Sequence, residues 1–332
     1  MKQLLTLGIE STAHTFGAAV LKGKNILSNE KDAFTTEDGN GGMVPVQVSE
    51  HHVKVCDAVI QKALQTAGVT IDDMQLISYS ASPGMGHTLR IGAMAARSLA
   101  AVNDIPVIGV NHCIAHLEIG RMLTKAKDPV FLYASGANTQ IIAYESGKYR
   151  VFGETLDMGI GNFLDQFARH IGFGFPGGPK IYEAAKGSSH YVKLPYVVKG
   201  MDVSFGGMLT NLKQKLKKGD SKEDLCYSLQ ETAFAMLVEV SERAMAHAGK
   251  KELLLGGGVA CNKRLQEMCT IMCKERGAKM FVPENQYLVD NAAMIAWLGL
   301  VQYDAGRRQQ VEESHIQPYL RTDDIDVVWR DD

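Results

Sequence analysis

A strand–turn–strand pattern occurs twice in this chain, and that repeat constrains the fold more than any other feature. Leu4 to Ile9 reads as an apolar strand, Ser11 to Thr15 as a polar turn, and Phe16 to Leu21 as a second strand closing on Lys22-Gly23-Lys24. The same order returns at Val130 to Ala134, Ser135 to Thr139 and Gln140 to Tyr144, closing on Ser146-Gly147-Lys148. Laying Ser11 on Ser135 also lays Ala13 on Ala137, Thr15 on Thr139, Ala19 on Ala143, Gly23 on Gly147 and Lys24 on Lys148. Two hairpins with matching turns imply two related domains.

Small residues and a hydroxyl in such a turn leave backbone N–H groups free, which suits a phosphate. A single turn of this kind is explained by a tight hairpin. Its recurrence beside strands of equal length points instead to paired phosphate loops across a cleft, as in the actin-like (ASKHA, RNase H-like) nucleotide-binding fold. The rest of the chain alternates accordingly. A flexible loop is expected at Gly39 to Gly42, helices at Val53 to Gly68 and Ile91 to Val102, and a strand at Leu76 to Ala81. In the second half, helices are expected at Gly159 to Ile171 and Asp224 to Gly249 and a strand at Glu252 to Leu255; a further helix runs through Glu275. The expectation is an α/β chain of two actin-like domains, residues 1–125 with about 292–332 and residues 126–291, with a nucleotide cleft between them.

Asn111-His112-Cys113-Ile114-Ala115-His116-Leu117-Glu118 follows the apolar run Ile105 to Val110. Four residues make about one helical turn, so His112 and His116 should share a helix face at the carboxyl end of a strand. That is half of a metal site, although two such imidazoles also suit a polar stripe. A metallopeptidase helix carries Glu directly after the first His. Here the position is Cys113, so the pair looks like metal holders without a peptidase base.

Asp290 precedes an apolar helix, where an N-cap accounts for it; as a third ligand it would supply the carboxylate that two imidazoles want. Gly256-Gly257-Gly258 allows close backbone approach to a ring or phosphate, with Asn262 as helix cap or ligand contact. It does not match the GxGxxG dinucleotide pattern. A net charge of -2 gives no global attraction to nucleic acid or membrane; the cluster Lys213, Lys215, Lys217, Lys218 and Lys222 is read as an exposed helix face. Six Cys without framework spacing, no membrane-length apolar run and no leader pattern at Met1 to Gly8 lead to the expectation of a soluble, reduced, cytoplasmic protein.

Taken together, Gly8 to Gly17, Asn111 to His116, Tyr133 to Gln140, Asp157 to Asn162, Gly174 to Lys180, Gly256 to Asn262 and Asp290 to Met294 resemble one family. It is that of the universal tRNA threonylcarbamoyladenosine transferases, formerly called O-sialoglycoprotein endopeptidases. The pattern is most similar to the archaeal and eukaryotic form, the catalytic subunit of the KEOPS complex. The resemblance implies metal ligation by His112, His116 and Asp290 with Tyr133 on or near the ion, iron before zinc. It implies ATP or threonylcarbamoyl-AMP contacts at Tyr133, Ala134, Ser135, Gly136, Ala137, Asp165, Gly178, Tyr182 and Asn262. Ala137, Tyr182, Val46 and Gly206 stand where the family usually has Gly, Glu, Arg and Ser.

The implied reaction moves a threonylcarbamoyl group from its adenylate to the N6 amine of the adenosine beside the tRNA anticodon. His14 or Glu10, at the first turn, is the expected base. Implied partners are tRNA, a small dimerising subunit, an accessory subunit and an atypical Ser/Thr kinase, which some relatives carry fused; the chain is expected to be a lone subunit or a cut-down fusion. The competing readings are a kinase or ATPase on the same fold and a non-enzymatic ATP-binding scaffold.

Overall fold

The structure, a computed structural model, describes residues 3–35 and 43–330; the loop expected at Gly39 to Gly42 lies outside them. Its first sheet contains β1 (Leu5–Glu10), β2 (Thr15–Lys22), β3 (Asn25–Ala33), β4 (Leu76–Ser82) and β5 (Val107–Asn111), in spatial order 3-2-1-4-5. β1 pairs antiparallel with β2 and parallel with β4. The second sheet contains β6 (Val130–Ala134), β7 (Thr139–Glu145) and β8 (Lys148–Glu154). A short ribbon follows, β9 (Val198–Lys199) with β10 (Asp202–Val203), before the sheet's remaining strands β11 (Glu252–Gly256) and β12 (Lys279–Phe281). Its order, β12-β11-β6-β7-β8, repeats the first sheet's topology, so the duplicated hairpins are β1–β2 and β6–β7.

Alternation along the strands sends side chains to opposite faces, and both faces of both sheets are covered. Helices α1 (Pro45–Ala67) and α2 (Gly86–Asn103) lie outside the first sheet over Leu7, Ile9, Val20 and Ile77. α3 (His112–Thr124) lies on its inner face. Outside the second sheet, α4 (Ile160–His170), α5 (Gly177–Ala185), α6 (Gly206–Lys218), α7 (Lys222–His247) and α8 (Lys263–Glu275) pack over Val130, Leu132 and Ile141. After the short α9 (Asn285–Leu288), α10 (Ala292–Asp304) returns beside α3, and these two fill the layer between the sheets with Phe131, Tyr133 and Leu254. Ala292 to Gln302 are all buried, as expected of a helix apolar on every side. A Cβ on Gly8 would lie 2.4 Å from Ala292 O, so only glycine lets β1 approach α10 this closely.

Three elements differ from the sequence expectation. α1 starts at Pro45 rather than Val53, with proline in its first turn. Val44 and Val46 are exposed there, so no apolar period marks the added turns. α2 starts at Gly86 rather than Ile91, where glycine and histidine hid its first turn. Part of the C-terminal stretch, residues 321–330, runs along the second sheet, while Gln317 N donates to Ala81 O of the first at 2.8 Å. Lys148 bridges Asp326, Val327 N donates to Gly147 O at 3.1 Å, and Arg321 reaches Glu154 at 3.1 Å. Trp329 Nε1 donates to the buried Glu118 carboxylate at 2.8 Å, which also accepts from Tyr149 and Arg121. This anchors α3 to both the C-terminal segment and β8. Among the described residues no helix is long and apolar enough to cross a membrane.

Candidate metal centre and nucleotide cleft

α3 and α10 begin at the same end of the middle layer, and their starts converge. Asn111 caps α3, accepting from Ile114 N at 3.1 Å, which sets His112 and His116 on its first turns. Asn291 caps α10, accepting from Met294 N at 3.0 Å. Asp290 therefore does not cap the helix, and its carboxylate is left to face the histidines. Its Oδ1 lies 3.4 Å from Nε2 of both His112 and His116, and one donor atom from each of the three residues falls within 4.8 Å of the others.

The surroundings fit a bound cation. His112 Nδ1 donates to Glu10 Oε2 at 3.0 Å, which turns Nε2 towards Asp290, and a cation bound there would displace the Nε2 proton; a carboxylate behind a metal-binding imidazole is the usual way to fix that ring. His116 Nδ1 is buried and takes no hydrogen-bond partner among the described residues, so it can carry the proton while Nε2 donates its lone pair. Burial opposes charge on His112, but Glu10 and Asp290 outweigh it and hold the imidazole well above its ordinary pKa. Burial also opposes charge on Asp290, and the two imidazoles outweigh it and hold the carboxyl well below its ordinary range. Burial, reinforced by His112, pushes His116 down. An anionic carboxylate facing a neutral His116 is the protonation that metal binding needs. The Tyr133 ring lies 5.1 Å from that of His116, and burial keeps its phenol protonated.

Glu10 is not placed as a base. It is fully buried at the end of β1, with Oε1 accepting from Thr12 N and Thr12 Oγ1 and Oε2 from His112. Thr12 Oγ1 also lies 3.2 Å from His112 Nδ1. The first turn thus props the start of α3, a role the sequence reading missed; the signal was a charged residue ending an apolar strand. Cys113 is buried and its thiol pushed up by burial, so it offers no peptidase base. His14 stands apart from this cluster, edge-on to Phe175 at 5.9 Å and near Asp165, so it faces the second lobe.

The second turn is built differently. Gly161 N and Asn162 N, at the start of α4, donate to Ser135 O and Gly136 O at 3.0 and 2.9 Å, while Gly136 and Ala137 are exposed. Gly257 passes close behind, since a Cβ there would lie 2.3 Å from Ala134 O. Asp165 accepts from Gly177 N at 2.7 Å, and burial raises its carboxyl pKa. A Cβ on Gly178 would meet only Leu164, at 3.8 Å, so the space above it is not filled by protein. Tyr182 is half-buried with the Lys186 ammonium 4.5 Å from its ring centre. Asn262 caps α8, accepting from Arg264 N at 2.9 Å, and donates to Gln230 at 2.7 Å, so both ends of its side chain are engaged within the protein.

A family model for tRNA N6-adenosine threonylcarbamoyltransferase (TsaD) matches residues 25–297. A protein of that name from Thermococcus kodakarensis is 53% identical over 327 residues, 98% of this chain and 100% of the relative. A Methanosarcina mazei protein named as a probable bifunctional tRNA threonylcarbamoyladenosine biosynthesis protein is 51% identical over 332 residues, covering 99% of this chain and 60% of the relative. Among solved structures, full-length HypF in its phosphate- and nucleotide-bound form superposes with a TM-score of 0.65 at 12% identity, over 92% of this chain and 47% of that one. Component A of (R)-2-hydroxyglutaryl-CoA dehydratase from Acidaminococcus fermentans gives 0.57 at 16% identity, over 89% and 97%. These two share the actin-like fold. The extent and identity of the sequence matches go further: this chain belongs to the tRNA N6-adenosine threonylcarbamoyltransferase family.

Proposed function

We propose that the chain transfers a threonylcarbamoyl group from threonylcarbamoyl-AMP to the N6 amine of the adenosine adjacent to the anticodon in tRNA, with AMP as the leaving group. The observation that carries this reading is the convergence of His112, His116 and Asp290 beside the open Ser135 turn, on a chain of this family. In this reading residues 1–125 with α10 make one lobe and residues 126–291 the other.

The acceptor amine is a weak nucleophile because its lone pair is delocalised into the purine. A divalent ion, iron in preference to zinc, would polarise an acyl or phosphate oxygen and stabilise the negative charge that develops there. His112, His116 and Asp290 would hold it, with Tyr133 alongside and Glu10 fixing the His112 ring. Two helix starts, those of α3 and α10, aim positive dipole ends at the same place, which favours the adenylate's phosphate. The Ser135–Ala137 turn, its carbonyls tied back by α4, presents N–H groups to that phosphate. Asp165 would hydrogen-bond the ribose, and the open backbone at Gly178 would lie against the adenosine, next to Ala134 and Tyr182. Asn262 contributes through the cap that shapes this wall. His14 is the remaining group to take the amine proton. The partners are tRNA and KEOPS-type subunits: a small dimerising protein, an atypical kinase and an accessory subunit, working in the cytoplasm.

The test replaces both imidazoles. His112→Ala with His116→Ala should remove bound metal and abolish transfer to tRNA while leaving the circular-dichroism spectrum unchanged. Transfer that survives loss of the metal would overturn the reading.

A further inference from the structure

Tyr319 is 93% exposed, ahead of Val102 at 83%, yet its backbone is tied down on both sides. Gln317 N donates to Ala81 O at 2.8 Å, Gly84 N to Pro318 O at 3.2 Å, and Leu320 N to Gln317 O at 3.1 Å. Three residues on, Thr322 is buried and bonds Gln140 of the second lobe at 3.4 Å, and Arg321 bridges to Glu154. The segment therefore forms a fixed rim joining both lobes at the carboxyl end of β4.

That rim adjoins the metal centre. Pro318 holds Gly84; Met85 N donates to Thr12 O at 2.9 Å; Thr12 in turn touches Glu10 and His112. Pro318 also abuts the start of α2, where a Cβ on Gly86 would lie 3.6 Å from its ring, and the next exposed side chains on α2 are His87 and Arg90. A water-exposed aromatic on a rigid segment, which abuts the helix carrying the exposed Arg90 and is linked through Gly84, Met85 and Thr12 to His112, matches the chemistry of a nucleobase platform. Bases stack on such rings whatever their sequence, while the neighbouring charges meet the phosphates.

We propose that Tyr319 stacks on an unpaired base of the RNA substrate next to the acceptor adenosine, and so seats the strand at the cleft mouth. The proposal rests on the tRNA-modifying reading above and adds the surface that holds the RNA.

The experiment measures binding of an anticodon stem–loop RNA to the full chain by fluorescence anisotropy, alongside metal content. Tyr319→Ala should weaken binding about thirtyfold, the middle of the range for one stacked base. Tyr319→Phe should stay within about twofold of wild type, and both should keep their metal, because stacking needs the ring and not the hydroxyl. Unchanged binding by Tyr319→Ala, or an equal loss in Tyr319→Phe, would overturn the proposal, as would a loss seen only for a protein partner. Weaker RNA binding by Tyr319→Ala, in a wild-type protein that never modifies the RNA, would sustain the platform and sink the transferase reading instead.

Discussion

The two copies of the repeated hairpin share sequence but not environment. At the first turn Glu10, Ser11 and Thr12 are buried, and a Cβ on Gly92 of α2 would sit 2.1 Å from Ser11 Oγ. At the second turn Gly136 and Ala137 are exposed, and a Cβ on Gly136 would meet nothing nearer than Asn162 at 3.6 Å. One copy has been packed shut to brace His112, and the other has been left open. Duplication supplied two loops of the same shape, and burial decided which could still receive a ligand.

The same substitution at the two places gives the largest contrast. Gly92→Ala should cost about 2–3 kcal/mol in urea unfolding, since the added methyl has no room against the first turn. Gly136→Ala should stay within about 0.5 kcal/mol, because it adds a methyl to open surface. Equal losses at both would erase the distinction between a closed and an open copy.

A narrower effect separates the turns by ligand. Glu10→Gln should lower metal affinity about 10- to 100-fold in a chelator competition, the range for removing the group behind a metal-bound histidine, with nucleotide affinity unmoved. Ser135→Ala should do the reverse, weakening nucleotide binding a few-fold at constant metal content. If Glu10→Gln changed nucleotide affinity and spared the metal, the first turn would be a phosphate loop after all.

The smallest expected signal is a pH dependence confined to the first copy. His52 is fully buried next to Ala13 and Thr15, and burial, with the His51 charge, lowers its pKa to about 4. The unfolded chain then binds the extra proton first, so this contribution is intact above about pH 6.5 and is lost as pH falls from there towards about 4. Wild type should lose melting temperature more steeply than His52→Gln across that window, by a few degrees. Parallel slopes would show that His52 titrates as it does in the unfolded chain.

Much of this was legible in the sequence for physical reasons. The duplicated hairpins announced themselves because strand alternation and turn chemistry are local. The His112–His116 spacing was readable because one helical turn fixes which side chains share a face. The direction of Glu10 was not readable, since a carboxylate at a strand end looks the same whether it meets water or a buried imidazole. Nor could the sequence choose between Asp290 and Asn291 as the cap of α10, because both residue types cap well and only tertiary contact with α3 freed the aspartate. Residues 321–330 carry too little periodicity to reveal which sheet they follow.

α3, which carries His112 and His116, and α10, which Asp290 immediately precedes, both belong to the layer sandwiched between the two sheets. In the proposed reading the ion's three anchors are thus fastened to the middle layer rather than to either outer one. Nucleotide and RNA bound as proposed would then be exchanged around a coordination geometry that does not have to be rebuilt at every turnover.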